Sequence, residues 1–192
     1  MKNNLPLRMM IVMMVITAIS GMVLSGIWAI SKDKIAQNEK AKIREALYEI
    51  NPETKTYKVI NVGADEVYKC YNKGNSLIAY FFLAEGNGFQ APIKIAMSVK
   101  PDFKNIIGIR VLEQTETPGL GAKITEMDFV NKFVGLKLFE NLLIKCKKEK
   151  AQKNKSEIKA ITGATISSKA CVSIINDKIA LLRYLINGGL AE

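Results

Sequence analysis

The residues in this chain whose types and spacing could do chemistry lie in two short glycine-containing segments. Thr162-Gly163-Ala164-Thr165 is followed directly by Ile166, Ser167 and Ser168. A tight glycine turn here enters a stretch with helical apolar spacing, so four hydroxyls gather at a helix start. Amides at a helix N-terminus, aided by the macrodipole, stabilise a phosphate. Small residues let that phosphate come close to the backbone. The hydroxyls of Thr162, Thr165, Ser167 and Ser168 could bind phosphate oxygens or simply cap the helix. The second segment is Glu116-Thr117-Pro118-Gly119-Leu120-Gly121. One proline and two glycines make a rigid turn with accessible amides. Such a loop could lie flat against a planar ring and hydrogen-bond its edge, or serve only to join sheet to helix. A third glycine turn, GNGF at 86–89, reads as a hairpin, because it has no strand–helix context for a dinucleotide fingerprint.

The rest of the composition narrows the chemistry. Histidine is absent, which removes Ser-His-Asp and Cys-His triads and every histidine metal site. The three cysteines, Cys70, Cys146 and Cys171, are widely spaced and form no CxxC pair. They make neither a disulfide framework nor an iron–sulfur site, and no metal site is expected. Redox chemistry would therefore need a bound organic cofactor. The net charge of +10 comes from 28 basic and 18 acidic residues. Much of it sits in KCKKEKAQKNK at 145–155. That stretch lacks interleaved aromatics and any nucleic-acid motif, so it reads as a solvated loop rather than a nucleic-acid surface.

The elements that must position the two segments follow from the apolar patterning. Residues 9–30 contain no charged side chain. As a helix they reach about 33 Å, enough to cross a hydrocarbon core of roughly 30 Å. The run is too long for a signal peptide and lacks a cleavage site, so it predicts a retained transmembrane helix with Trp28 at an interface. Basic residues flank it on both sides. A positive-inside count would put the large domain in the cytoplasm, but long domains translocate largely regardless of charge. Ile43, Ala46, Leu47 and Ile50 have helical spacing, which predicts a stalk helix over 31–50, broken at Asn51-Pro52. Strands are predicted at 56–62, 66–72, 76–84, 91–99 and 105–113, with a glycine turn at 85–89. The second half predicts a helix over 123–134, apolar at Ile124, Met127, Phe129 and Val130. It also predicts a last helix over 166–186, with an apolar stripe of Ile166, Ala170, Ile174, Ile175, Ile179, Leu182 and Ile186. The class is α+β: one N-terminal transmembrane helix and a single domain of antiparallel sheet plus helices over 51–192.

GNGF at 86–89, ETPGLG at 116–121 and TGAT at 162–165, in that order behind one membrane helix, make the chain resemble a family. It resembles the G subunits of Rnf-type ion-translocating electron transport complexes. It is also similar to the C subunits of sodium-pumping NADH:quinone reductases. The resemblance covers nearly the whole chain. It implies an FMN-binding domain, with FMN attached covalently as a phosphoester on Thr165. It places Thr162, Gly163, Ala164, Ser167 and Ser168 around that attachment, and the loop from Glu116 through Thr117, Pro118, Gly119, Leu120 and Gly121 near the flavin. A separate flavin transferase that uses FAD would make the bond. The resemblance further implies residues 1–8 in the cytoplasm, residues 9–30 in the cell membrane and the main domain outside. The chain would be an electron carrier in a complex that couples ferredoxin:NAD oxidoreduction to sodium or proton transport. Its partners would be the polytopic and iron–sulfur subunits of that complex. The alternatives are a flavinylated component of another extracytoplasmic respiratory or reductase system, and a tethered structural module without flavin. Three positions depart from the family pattern: Lys159 where Asp is common, Gln114 where His is common, and Ala91 where Gly is common.

Overall fold

A computed structural model describes residues 5–63, 65–138, 144–148, 151–152 and 156–187, and for 186 and 187 the backbone alone. Residues 149–150 and 153–155 of the lysine-rich stretch, the side chain of Ile186, and residues 1–4 and 188–192 lie outside the described residues. Two compact units divide the chain, Met1–Lys42 and Ile43–Glu192.

The first unit is helical. It comprises most of α1, Leu5–Ile50, a helix of 46 residues. Its apolar side chains are exposed all round, from Leu5 to Ile30. Among the described residues α1 is the one helix long and apolar enough to cross a membrane. Trp28 is exposed, and Lys32 Nζ lies 5.7 Å from its ring centroid. That pairing of an amphipathic ring with a long cationic stem suits a membrane–water boundary.

The second unit begins with the last two turns of α1, which end at the predicted break. There the Asn51 amide N–H and side-chain Nδ2 both donate to Leu47 O, at 2.9 and 3.1 Å. Five strands follow: β1 Thr56–Val62, β2 Asp65–Tyr71, β3 Leu77–Asn87, β4 Pro92–Val99 and β5 Ile106–Glu113. They form an antiparallel meander in sequence order. β3 is apolar on both sides because both faces of the sheet are covered. Phe82 enters a core with α3, Thr165–Asn187. Phe81 enters a smaller one closed by Ala46 and Leu47 of α1. Burial of such side chains stabilises by about 2 kcal/mol each, so one layer holds the sheet against α3 and the other against the last turns of α1.

Three predicted elements differ. The glycine turn expected at 85–89 is displaced: β3 runs on to Asn87, with Gly86 paired to Ile93 and Asn87 to Pro92. A Cβ at Gly86 would lie 2.6 Å from Ile174 Cγ1, so here glycine lets the strand pass under α3 rather than turn. The helix expected over 123–134 is a 3-10 turn, Gly121–Thr125, and a single helical turn, α2, Met127–Val130. Glu126 between them is extended (ψ 144). That reset brings Ile124, Phe129, Val130 and Phe133 inward while Met127 stays exposed, a set that one continuous helix could not bury together. Within the lysine-rich stretch, Lys145–Lys147 forms β6, paired parallel to β7, Glu157–Lys159. Cys146 packs against the core while Lys145 and Lys147 stay exposed, so alternation sets this short strand among charges.

Candidate functional site

The two chemical segments meet at the N-terminal end of α3. A chain reversal at Gly163 (φ +83) carries β7 into the helix. The first helical bond runs from Ser168 N to Ala164 O at 3.0 Å, so Ala164 occupies the cap position. Alanine has no side-chain oxygen to offer the first turn. The amides of Thr165, Ile166 and Ser167 are thus left without helical acceptors. Thr165 is half-buried and Thr162 is exposed. These hydroxyls sit beside three amides that have no acceptor among the described residues, at the positive end of a 23-residue helix.

The ETPGLG loop lies against this turn. Its tip, Pro118, Gly119 and Leu120, is exposed. A Cβ on Gly163 would stand 3.1 Å from Leu120 Cδ2, so the two turns touch. Gly119 has φ +75, and the amides of Leu120 and Ala122 both donate to Thr117 O, at 3.2 and 3.1 Å. Gln114 shapes the entrance, its side-chain Oε1 accepting from Glu116 N at 2.6 Å. Phe89, Leu120 and Ile166 all remain exposed.

Three expected site residues face the other way. Ser168 is buried, donating from Oγ to Ala164 O at 2.9 Å and accepting from Ile161 N at 3.0 Å. Ser167 is buried and donates to Glu116 Oε2 at 2.6 Å. Glu116 itself is only 4% exposed. Its Oε1 accepts from the amides of Phe89, at 2.7 Å, and Gln90, at 3.1 Å. One carboxylate therefore joins the GNGF turn, the ETPGLG loop and the start of α3. It has no basic partner among the described residues. Burial would raise its pKa, but the Ser167 hydroxyl and the amides of Gln90, Phe89 and Ala91 outweigh that and hold the carboxyl below its ordinary value.

Two glycines make room for this group. A Cβ at Gly88 would lie 2.4 Å from Glu116 Oε1. A Cβ at Gly121 would lie 2.8 Å from Glu116 Cβ, from Glu116 Oε2 and from Ser167 Oγ. Sequence reasoning missed this clasp and took Gly88 for an ordinary hairpin residue. The available signal was a carboxylate among glycines with no cation in the motif. Lys159 ends β7 with its side chain exposed, and its carbonyl accepts from Lys132 Nζ at 3.0 Å. Among the described residues no group of acidic, cysteine or histidine side chains could hold a metal.

Residues 88–180 match the FMN-binding domain family. The chain is 27% identical over 182 residues to the G subunit of the ion-translocating oxidoreductase complex of Methanosarcina acetivorans, covering 90% of this chain and 92% of that one. It is 29% identical over 161 residues to the G subunit of the proton-translocating ferredoxin:NAD(+) oxidoreductase complex of Clostridium ljungdahlii, covering 84% and 83%. The crystal structure of Shewanella oneidensis NqrC superposes with a TM-score of 0.56 at 18% identity, over 71% of this chain and 73% of that one. That last likeness is one of fold.

Proposed function

Because residues 88–180 match the FMN-binding domain family and the chain is a homologue of the G subunits of ion-translocating oxidoreductase complexes, we propose that it carries FMN as a phosphoester on Thr165. The chain is an electron-transfer subunit of a membrane complex that couples ferredoxin:NAD oxidoreduction to ion translocation. FMN supplies the reversible electron transfer, and the protein supplies position and surroundings.

The arrangement at α3 fits that cofactor, and one observation carries the reading. The cap of α3 is Ala164, so the donors of the first turn stay available to a phosphate while the Thr165 hydroxyl stands beside them. The exposed Phe89, Leu120 and Ile166 offer apolar surface for a planar ring. Thr162 and Gly163 border the attachment on the open side. Pro118, Gly119 and Leu120 present the loop tip toward the same turn, whereas Glu116, Ser167 and Ser168 support it from beneath. We infer that a separate flavin transferase forms the bond.

The reading extends to topology. Residues 1–8 lie in the cytoplasm, 9–30 span the cell membrane, 31–50 form the stalk helix and the remainder is extracytoplasmic. Cysteine burial is compatible with it for two of the three thiols: Cys70 and Cys171 are fully buried, and burial pushes their thiols up to about 11 and about 12, while Cys146 is half-buried. The polytopic and iron–sulfur subunits of the same complex are the partners.

The test is the intact mass of the chain from its native membrane beside Thr165→Val. The reading expects a gain of one FMN less a water, lost in the variant. A native chain at its unmodified mass refutes the ester.

A further inference from the structure

Among the described residues Glu116 is the one buried carboxylate, and the electron-transfer reading gives its charge no task. It is buried without an ion-pair partner among the described residues, and such a charge is costly unless hydrogen bonds hold it. Here they come from separate segments: the amides of Phe89 and Gln90 at the end of the GNGF turn, and Ser167 in the first turn of α3. Ser167 lies two positions beyond Thr165, and Gly121, at the end of the loop whose tip meets Gly163, packs against the same carboxylate. Bringing three segments together could have been done with apolar contacts. Retaining a bare anion at this spot places a fixed negative charge directly behind the flavin-bearing turn. It also opposes the positive end of the helix, which otherwise favours added negative charge at that turn.

Resting on the proposed attachment of FMN, we propose that Glu116 is a positioning residue whose ionised carboxylate locks the flavin-bearing end of α3 to the two glycine turns and keeps the flavin's reduction potential low. The physical link is electrostatic. Reduction adds electrons to the flavin, so a nearby fixed anion in a poorly solvated site disfavours the reduced form. Removing the charge while keeping the shape must then move the potential upward. Glu116→Gln does this, because an amide oxygen can still accept from Phe89 and Gln90, while its NH2 can donate to Ser167 Oγ.

The experiment uses the full-length chain, flavinylated and purified in detergent, as native protein and as the Glu116→Gln, Glu116→Asp, Glu116→Ala and Ser167→Ala variants. Redox titration of the flavin reads the charge. Amide exchange of Phe89 and Gln90 reads the lock. In Glu116→Gln we expect the ratio of reduced to oxidised flavin at a given potential to rise about tenfold, an upward shift of about 30 mV for a two-electron couple. Glu116→Asp should stay near the native value. Ser167→Ala leaves the anion less compensated, so its potential should stay level or fall. A merely structural role would move Glu116→Gln and Ser167→Ala in the same direction, and that result, or a native potential in Glu116→Gln, overturns the electrostatic half. Exchange at Phe89 and Gln90 should quicken at least tenfold in Glu116→Ala and little in Glu116→Asp. Unchanged exchange in the alanine variant overturns the lock. A native chain without the FMN mass would sink the attachment reading and the potential with it, while exchange would still decide the lock.

Discussion

The site has an outer rim and an underside, and neighbouring residues in the same motifs divide between them. Thr165 is half-buried at the start of α3, whereas Ser167, two residues on, is buried against Glu116. Leu120 is exposed at the loop tip, whereas Gly121, next in sequence, is buried against the same carboxylate. Among the described residues the rim keeps its polar groups unsatisfied: three first-turn amides without acceptors, beside the exposed Thr162 and half-buried Thr165 hydroxyls. On the underside the amides of Phe89 and Gln90 and the hydroxyls of Ser167 and Ser168 all have partners, at distances of 2.6–3.1 Å. A binding site needs unspent donors, and unspent donors need a rigid support to stay aimed. Each motif is therefore half ligand surface and half scaffold, and the glycines separate into the same two groups. Gly119 and Gly163 provide turns with positive φ on the rim. Gly88 and Gly121 provide clearance below.

If that division holds, rim and underside variants should fail differently. Thr165→Val has the largest functional effect: complete loss of covalent flavin by intact mass. Its unfolding free energy in detergent should change by less than about 1 kcal/mol, because the site is half-exposed and the shape is kept. Glu116→Ala has the largest structural effect. It removes the acceptor of two part-buried amides and strands the buried Ser167 hydroxyl, and a buried unsatisfied group costs about 1–3 kcal/mol. Chemical denaturation should show a loss of about 2 kcal/mol or more. A loss below about 1 kcal/mol would mean that the clasp supports nothing.

The rim was far more legible in the sequence than the underside. Thr162 to Thr165, and the tip Pro118 to Leu120, announce themselves because Gly, Pro and Thr have strong local preferences. The meander was legible too, since β-branched and aromatic runs alternate with turn residues, and β1 coincides with its expected span of 56–62. What stayed hidden depends on contacts distant in the chain. Glu116 meets Phe89 and Gln90 across 27 and 26 positions, and Ser167 across 51. No local pattern encodes such a meeting. The broken helix after Gly121 failed for a related reason: its apolar residues suit helical spacing in part, but the core decides which of them turn inward. Gly86 was misread because a glycine that admits Ile174 looks, in sequence, like a glycine that makes a turn.

The two classes of glycine give the next contrast. Gly121→Ala should cost about 1–3 kcal/mol, because its Cβ would meet three atoms of Glu116 and Ser167 at 2.8 Å with no room to retreat. Gly119→Ala meets nothing within 4 Å, and only its φ of +75 opposes it, for about 1 kcal/mol. If Gly119 proved the more costly, the underside would be looser than these contacts require.

Acidity offers a way to read the underside alone. The Glu116 carboxyl is held below its ordinary value when folded, so the unfolded chain takes up the proton first. Its contribution to stability is full above the unfolded value of about 4.3 and disappears as pH falls through the folded value. The stability gap between the native chain and Glu116→Gln should be constant from about pH 7 down to about 5 and shrink below that. Cys171, a titratable group near this carboxylate, has its thiol pushed by burial up to about 12 and stays silent in that window. A gap that does not change with pH would show that folding leaves the Glu116 carboxyl unshifted, and one that narrows as pH rises above about 4.3 would show that Glu116 is neutral when folded.

The smallest effects separate hydroxyls that look alike in sequence. Ser167→Ala removes one of the donors to a buried anion, so it should cost about 1.5 kcal/mol, the lower end for a hydrogen bond to a charged group. Thr162→Ala removes a hydroxyl that is exposed and has no partner among the described residues, so its stability should stay within about 0.5 kcal/mol of native. Covalent flavin should persist in both, because the acceptor is Thr165. Equal losses at 162 and 167 would merge rim and underside into one surface. If instead only Thr162→Ala lowered the fraction of chains carrying FMN, the exposed hydroxyl would belong with Thr165 among the groups that meet the phosphate, and the rim would extend back through Gly163.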